Sequence, residues 1–301
     1  VSVAIQPGSP EHMRLITPSK VSAILGVSRF TSAYRIWNQM AGLVEPEPAK
    51  EIFALGHDFE PAMASIWKRQ NPGWRLSADE VQIVVPAERF GFPAAVTLDR
   101  RASRGRARKV VEFKTARDLS QWGDYFTDQA PADYVAQVTA QMLFSGYTSY
   151  PAHLMVLGPF FEAHTYVIEF DALVAATIVS RCKAFYDSLQ AGVPPHLDDS
   201  VSSYQTVREL HPDITPDSVV EVDPELAVQV LQLDAALKDT ERATRGHKSL
   251  LLDAMGNAQT AMCGGVKIAD RRPHAKGGVA LALATKNLNQ LNTNTEGELS
   301  A

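Results

Sequence analysis

Residues 96–116, VTLDRRASRGRARKVVEFKTA, constrain this chain more than any other stretch. They read as a strand, a basic turn around Gly105 and a second strand. Asp99 closes the first strand, and Glu112 and Lys114 sit two apart on the second. Residues two apart in a strand share a face. Glu112 and Lys114 therefore point one way, and Val111 and Phe113 the other. An antiparallel hairpin brings Asp99 towards the polar face. Two carboxylates and a lysine at a strand edge suit metal-assisted phosphodiester cleavage. Hard cations such as Mg²⁺ take oxygen ligands, usually one or two carboxylates plus substrate phosphate. The same three residues would also serve as a cross-strand ion pair on the surface. The pattern alone leaves both readings open.

The hairpin also carries Arg100, Arg101, Arg104, Arg106, Arg108 and Lys109. The chain as a whole is acidic, with a net charge of −5, so any grip on nucleic acid must come from a local patch of this kind. Such a run could hold DNA phosphates beside the site, or form a solvated turn. Two cysteines, Cys182 and Cys263, are too few for an iron–sulfur cluster and show no zinc spacing. They fit a reducing, cytoplasmic setting. No apolar run reaches transmembrane length, so no membrane partner is expected. No GxxxxGK[ST] loop occurs, so no use of ATP is expected.

Upstream, Thr17 and Pro18 start a short helix that Gly26 ends. A second helix spans residues 32–41, and a third about 49–70. In the third, Ile52, Leu55, Phe59, Met63 and Ile66 recur as one buried stripe, with Glu60 beside it and His57 one turn earlier. Pro61 is expected to kink it. Downstream lie a short helix near 120–125, a helix over 132–145, two strands and a helix over 172–190. Tyr134, Gln137 and Gln141 share one face of the 132–145 helix. The order predicts an α/β fold: a mixed central β-sheet flanked by helices. Beyond a linker at 196–223, a long helix over about 224–255 has Leu226, Val230, Leu233 and Leu237 in register and a break near Arg245–Gly246. Short strands follow within 224–285. Residues 1–13 read as a flexible arm and 286–301 as a disordered tail.

GHDFEP (56–61), LDR (98–100), VEFKTA (111–116) and DYVAQVTAQM (133–142) come in an order that resembles the lambda-type phage exonucleases. These are also called YqaJ-like viral recombinases, within the PD-(D/E)XK nuclease superfamily. The resemblance covers residues 14–195, which would form a restriction-endonuclease-like nuclease domain. It implies Asp99, Glu112 and the backbone carbonyl of Phe113 as metal ligands, for Mg²⁺ or alternatively Mn²⁺, as two ions. It implies Lys114 as the residue that orients or deprotonates the attacking water, Glu60 as a helix carboxylate completing the site, and Gln137 as the glutamine of the later helix. Tyr134 sits where the family has an aromatic residue, and Gln141 shares its face as a DNA contact. Ser19 and Arg14 would form a 5′-phosphate pocket, although Arg14 stands two residues nearer Ser19 than the family's arginine. The implied activity is digestion of one strand of linear double-stranded DNA from its end, 5′ to 3′. A single-strand annealing protein and a homo-oligomeric ring are the implied partners, and a phage or prophage the implied source. A PD-(D/E)XK endonuclease and a non-catalytic DNA-binding module are the alternatives.

Overall fold

The computed structural model describes residues 5–6, 8–48, 51–123, 129–274 and 277–292. It divides the chain into two units, Val1–Ile214 and Thr215–Ala301. The first unit begins with α1 (Pro10–Met13), α2 (Pro18–Ile24), α3 (Ala33–Met40) and the long α4 (Glu51–Gln70). Strands β1 (Arg75–Leu76) and β2 (Val81–Val85), helix α5 (Ala87–Phe90) and strands β3 (Ala94–Leu98), β4 (Arg100–Arg104) and β5 (Ala107–Thr115) follow. Then come α6 (Ala132–Ser145), β6 (Ala152–Leu157), β7 (Ala163–Ile168), α7 (Ala172–Ala191) and α8 (Val201–Leu210).

The main sheet has the order β1-β4-β5-β6-β7. The β5–β6 pair is parallel and the other pairs are antiparallel. Parallel neighbours need a long crossover, and α6 lies in it. Central β5 is covered on both faces, which is why its middle reads as an unbroken run, Val110 to Phe113, rather than a strict alternation. On one face Val110, Leu154 and Val156 pack with Val138, Met142 and Phe144 of α6 and with Ile178, Cys182 and Phe185 of α7. On the other, Val111, Phe113 and Met155 pack with Met63, Ala64 and Trp67 of α4. The result is a mixed sheet between helical layers, the α/β fold class expected.

Several local expectations change. The first strand, expected to close at Asp99, ends at Leu98, and the stretch read as a basic turn begins with a further strand, β4. β3 pairs with β2 in a separate two-stranded sheet, while β4 pairs with β5. Asp99 is the single residue between them. Helix α4 runs through Pro61 without interruption. Pro61 is exposed, so the carbonyl it leaves without a helical donor, on residue 57, is on the side that water can reach. The expected stripe is covered only in its second half: Met63 is a core residue and Ile66 half-buried, whereas Ile52, Leu55 and Phe59 are exposed. The stretch read as a linker contains α8, whose Ser203 and Thr206 are buried and whose Thr206 accepts a hydrogen bond from Arg35 on α3. In the arm read as flexible, α1 forms, capped by the Ser9 hydroxyl, and Ile5 is buried. The helix expected near 120–125 is a turn as far as residue 122, and its end lies outside the described residues.

In the second unit, α9 (Pro224–Met255) is one unbroken helix, capped by the Asp223 carboxylate. No break occurs at Gly246, because a glycine costs a helix only about 1 kcal/mol relative to alanine. Leu226, Val230, Leu233 and Leu237 are all exposed, and Met255 is the buried residue of α9. Strands β8 (Thr260–Cys263), β9 (Val266–Pro273) and β10 (Val279–Leu283) form an antiparallel sheet in the order β10-β9-β8. Residues 285–292, within the stretch read as a disordered tail, are a 3₁₀ turn followed by helical positions, and residues 293–301 lie outside the described residues. No described helix is long and apolar enough to cross a membrane.

The Phe144 ring is fully buried against Phe90 and Phe92, with centroids 5.6 and 6.3 Å away. Phe144→Ala is expected to destabilise the first unit by about 3–5 kcal/mol, read from its denaturant midpoint. A change under about 1 kcal/mol would mean that this ring cluster is not the core.

Candidate active site

The side chain at the centre is Glu112, which is 1 % exposed. It lies on β5 and faces α6, as Val110 does, because residues 110, 112 and 114 share a face. Both of its oxygens are taken. One accepts from Lys114 Nζ and from Gln137 Nε2, the latter at 2.7 Å. The other accepts from Gln141 Nε2 at 2.6 Å. The two glutamines are one helical turn apart on α6, so a single helix face covers the whole carboxylate. The next turn back brings Tyr134, whose ring centroid lies 5.4 Å from Lys114 Nζ.

Asp99 joins this group from the break between β3 and β4. Its carboxylate accepts from the Phe113 backbone N–H at 2.7 Å, which ties the break to β5. Burial, and then the charge of Glu112, hold the Asp99 carboxyl well above the usual carboxylate range. Lys114 and the Phe113 N–H act in the opposite direction and do not overcome this. For Lys114, burial works against the charged form, but Glu112 and Asp99 outweigh it and its pKa is raised.

Glu60 comes from α4, on the opposite layer. It is held by Arg100 Nη1 at 3.3 Å and by His57 Nδ1 at 2.8 Å. Among the described residues, His57, Glu60 and Glu80 form a group whose ligating atoms lie within 4.8 Å of one another. Asp99 senses the charge of Glu60, though more weakly than that of Glu112. Asp99 and Glu112 fit a hard divalent cation. Glu112 is buried and Asp99 half-buried, both offer oxygen ligands, and their mutual repulsion is what a cation between them would relieve.

The basic hairpin is arranged differently from the expectation. Arg100, Ala102 and Arg104 stand opposite Val111, Lys109 and Ala107, so they share the α4 face, away from Glu112 and Lys114. Arg100 is buried against Glu60 and is not a DNA contact. Arg104 stacks over Trp74 at 4.7 Å, and Arg108 folds back onto the carbonyls of Gly105 and Ala107. Lys109 is buried and bonded to His153 Nε2, whose Nδ1 accepts from the Trp67 indole. An indole N–H only donates, so Nδ1 of His153 is the acceptor of that bond. Burial and then Arg104 push Lys109 down, and burial and then Lys109 push His153 down to about 4. Arg106 remains exposed, and Arg101 is half-buried with its Nε out of reach of solvent.

Gln141, expected as a DNA contact, is fully buried and serves Glu112 instead. Ser19 is exposed and bonded to the Thr17 hydroxyl at 3.1 Å. Arg14 is exposed as well. Thr17 does hold the N-cap position of α2, but its side chain makes no capping bond. Arg29 was not foreseen. It is clamped by both oxygens of Asp133, at 2.8 and 2.9 Å, and stacks 5.1 Å from the Tyr134 ring. Trp122 flanks Tyr134 on another side, at 5.4 Å. No spacing rule links residues 29, 122 and 134, so these contacts had no signal in the sequence.

Residues 10–148 match the sequence profile of the YqaJ-like viral recombinase domain. The sheet to which the matched segment contributes β5 continues past that segment with β6 and β7. No curated protein matches the chain. The fold is similar to that of the alkaline exonuclease LHK-Exo from Laribacter hongkongensis, at 15 % identity over 60 % of this chain and 91 % of that one, with a TM-score of 0.44. The same enzyme in complex with dAMP gives 14 % identity over 61 % and 91 %, with a TM-score of 0.46. A putative exonuclease from Eubacterium rectale gives 9 % identity over 74 % and 96 %, with a TM-score of 0.44.

A carboxyl whose folded pKa is raised binds a proton more tightly folded than unfolded, so it costs stability once the pH exceeds its unfolded value of about 4. Asp99→Asn keeps an acceptor for the Phe113 N–H and removes that cost. In chelator at neutral pH the variant is expected to melt higher than the wild type, and the gap to close as the pH falls towards about 4. A lower Tm for the variant at neutral pH would contradict the electrostatic account of the site.

Proposed function

We propose that this protein is a metal-dependent DNA exonuclease that digests one strand of linear double-stranded DNA from its end, 5′ to 3′, in phage-type recombination. One observation carries this reading: Glu112 is buried with Asp99 beside it inside a YqaJ-like domain. A surface ion pair would leave its carboxylate in water. A buried one surrounded by a lysine and two glutamines is costly to build, and such arrangements concentrate at functional sites.

Asp99, Glu112 and the Phe113 carbonyl would hold the cation, Mg²⁺ or alternatively Mn²⁺. Bound there, a divalent cation polarises the phosphoryl oxygen and makes water a better nucleophile at neutral pH. The chain's own residues do the rest. Gln137 and Gln141 fix both oxygens of Glu112, so the carboxylate cannot rotate away. Lys114 is held between Glu112 and the Tyr134 ring. Its raised pKa in the metal-free protein suits an ammonium that orients the attacking water. Arg100 and His57 hold Glu60 at the margin of the site as a further carboxylate. Ser19, Arg14 and Arg106, all exposed, and the half-buried Arg101 are the candidates for phosphate contacts, with Ser19 and Arg14 assigned to the terminal 5′-phosphate. DNA ends, a single-strand annealing protein and a ring of copies around DNA are the partners this reading implies.

The test is digestion with Mg²⁺ of a linear duplex bearing a 5′-phosphate, the same duplex without it, and a covalently closed circle. Degradation of the linear duplexes alone is expected, faster with the phosphate, and abolished by chelator. Lys114→Ala should lower kcat by about 10²–10⁴-fold. Cutting of the circle would replace the exonuclease with an endonuclease. No cutting with either Mg²⁺ or Mn²⁺ would leave a DNA-binding module.

A further inference from the structure

Strand β6 ends at Leu157 and returns as β7 at Ala163 through the turn 158–162. The turn is closed by the Gly158 N–H donating to the Glu162 carbonyl at 2.7 Å. Within it, Phe160 and Phe161 both have left-handed backbones, with φ of 57° and 63°. Bulky residues rarely adopt this conformation, and two in succession are rarer still. Both rings face solvent: Phe160 is 94 % exposed and Phe161 80 %. No core packing accounts for two aromatic residues here, and the backbone is strained in the conformation that presents them. Observed strain of this kind concentrates at ligand clamps and active sites.

The position of the turn says what it faces. β5 and β6 run parallel, with Lys114 opposite Val156 and Thr115 opposite Leu157. The two strands therefore end on one edge, and the turn begins one residue beyond the partner of Thr115. The segment that leaves β5 is tied to the turn, because Ala116 N–H donates to the Leu157 carbonyl at 3.0 Å. Leu119 closes the contact: a Cβ on Gly158 would lie 2.6 Å from its Cδ1, so a larger residue here would have to displace the Leu119 side chain. Arg117, on the same segment, is exposed. The carboxyl edge of parallel strands is where open α/β sheets bind ligands. Exposed aromatic faces beside a cation are the means by which proteins hold single strands without regard to sequence, the rings stacking on bases and the cation meeting phosphates.

We propose that Phe160 and Phe161 form a base-stacking platform for single-stranded DNA at the edge of the active site. The inference rests on the nuclease reading for its choice of ligand. An end-digesting enzyme meets unpaired bases at every cycle, and this pair of rings is placed on the edge that carries Lys114. A protein partner seated on the same rings is the competing occupant.

The experiment uses the full chain in chelator, with a single-stranded oligonucleotide carrying 2-aminopurine as the probe. Stacking is expected to quench its fluorescence on binding. Phe160→Ala/Phe161→Ala should weaken the affinity about tenfold or more and remove the quench, and Phe160→Trp should retain both. A thermal melt checks that the variants fold, and Phe160→Gly, which relieves the backbone while deleting the ring, should lose the quench while melting no lower than the wild type. Unchanged affinity and quench in the folded double variant would overturn the platform and give the rings to a protein partner. Digestion of linear duplex with Mg²⁺ is measured alongside. A wild type that quenches through the two rings but cuts nothing would sink the nuclease reading alone. A wild type that cuts but never quenches would sink the platform alone.

Discussion

The structure depends on keeping one charged carboxylate, that of Glu112, in the middle of a sheet. A bare buried carboxylate costs several kcal/mol, so the surroundings must supply donors for both oxygens. Three side chains do so, and they come from two directions: Lys114 from the same strand, Gln137 and Gln141 from α6. This requirement fixes how α6 must lie against β5. The helix cannot slide by a residue without leaving an oxygen of Glu112 bare, while its other face must still deliver Val138, Met142 and Phe144 to the core. The polar cluster and the packing of the first unit are therefore one constraint.

The second carboxylate is placed by a discontinuity. Asp99 occupies the step at which the chain leaves the β2–β3 pair and joins the main sheet. A residue inside a regular strand would have its N–H and C=O committed and its side chain aimed along the pleat. A residue at a step between sheets is free of both demands, and Asp99 uses this to cap the Phe113 N–H while facing Glu112. The hairpin cations are largely spent within the protein, on Glu60, Trp74, His153 and the turn's own carbonyls. A run of six positive residues in sequence is thus a much weaker positive patch in space.

Much of this was readable beforehand. The D…ExK spacing and the i, i+3, i+7 placement of Tyr134, Gln137 and Gln141 follow from strand and helix periods, which hold wherever the element forms. The helices over 33–40, 132–145 and 172–191 were legible because their apolar stripes and glycine stops are local signals. The buried stripe of α4 was overread. Ile52, Leu55 and Phe59 fit the period as well as Met63 does, but periodicity says which residues share a face, not how far along the helix that face is covered. The same holds for Leu226 to Leu237 in α9. α8 was missed because its ten residues are mostly polar, and a helix that buries Ser203 and Thr206 rather than leucines leaves no hydrophobic signature.

The sequence by itself determined the residue types of the candidate site, their order, and the faces they share within each element, because backbone geometry alone dictates those faces. Only the tertiary structure decided which of them meet. Gln141 serves Glu112 rather than DNA, and Arg100 serves Glu60 rather than phosphate. Asp99 sits at a step between sheets, and Phe160 and Phe161 stand on the edge where Lys114 lies. Each of these is a contact or placement between segments tens of residues apart. Such relations are set by how layers pack and which strands pair, and no period within a single element encodes them.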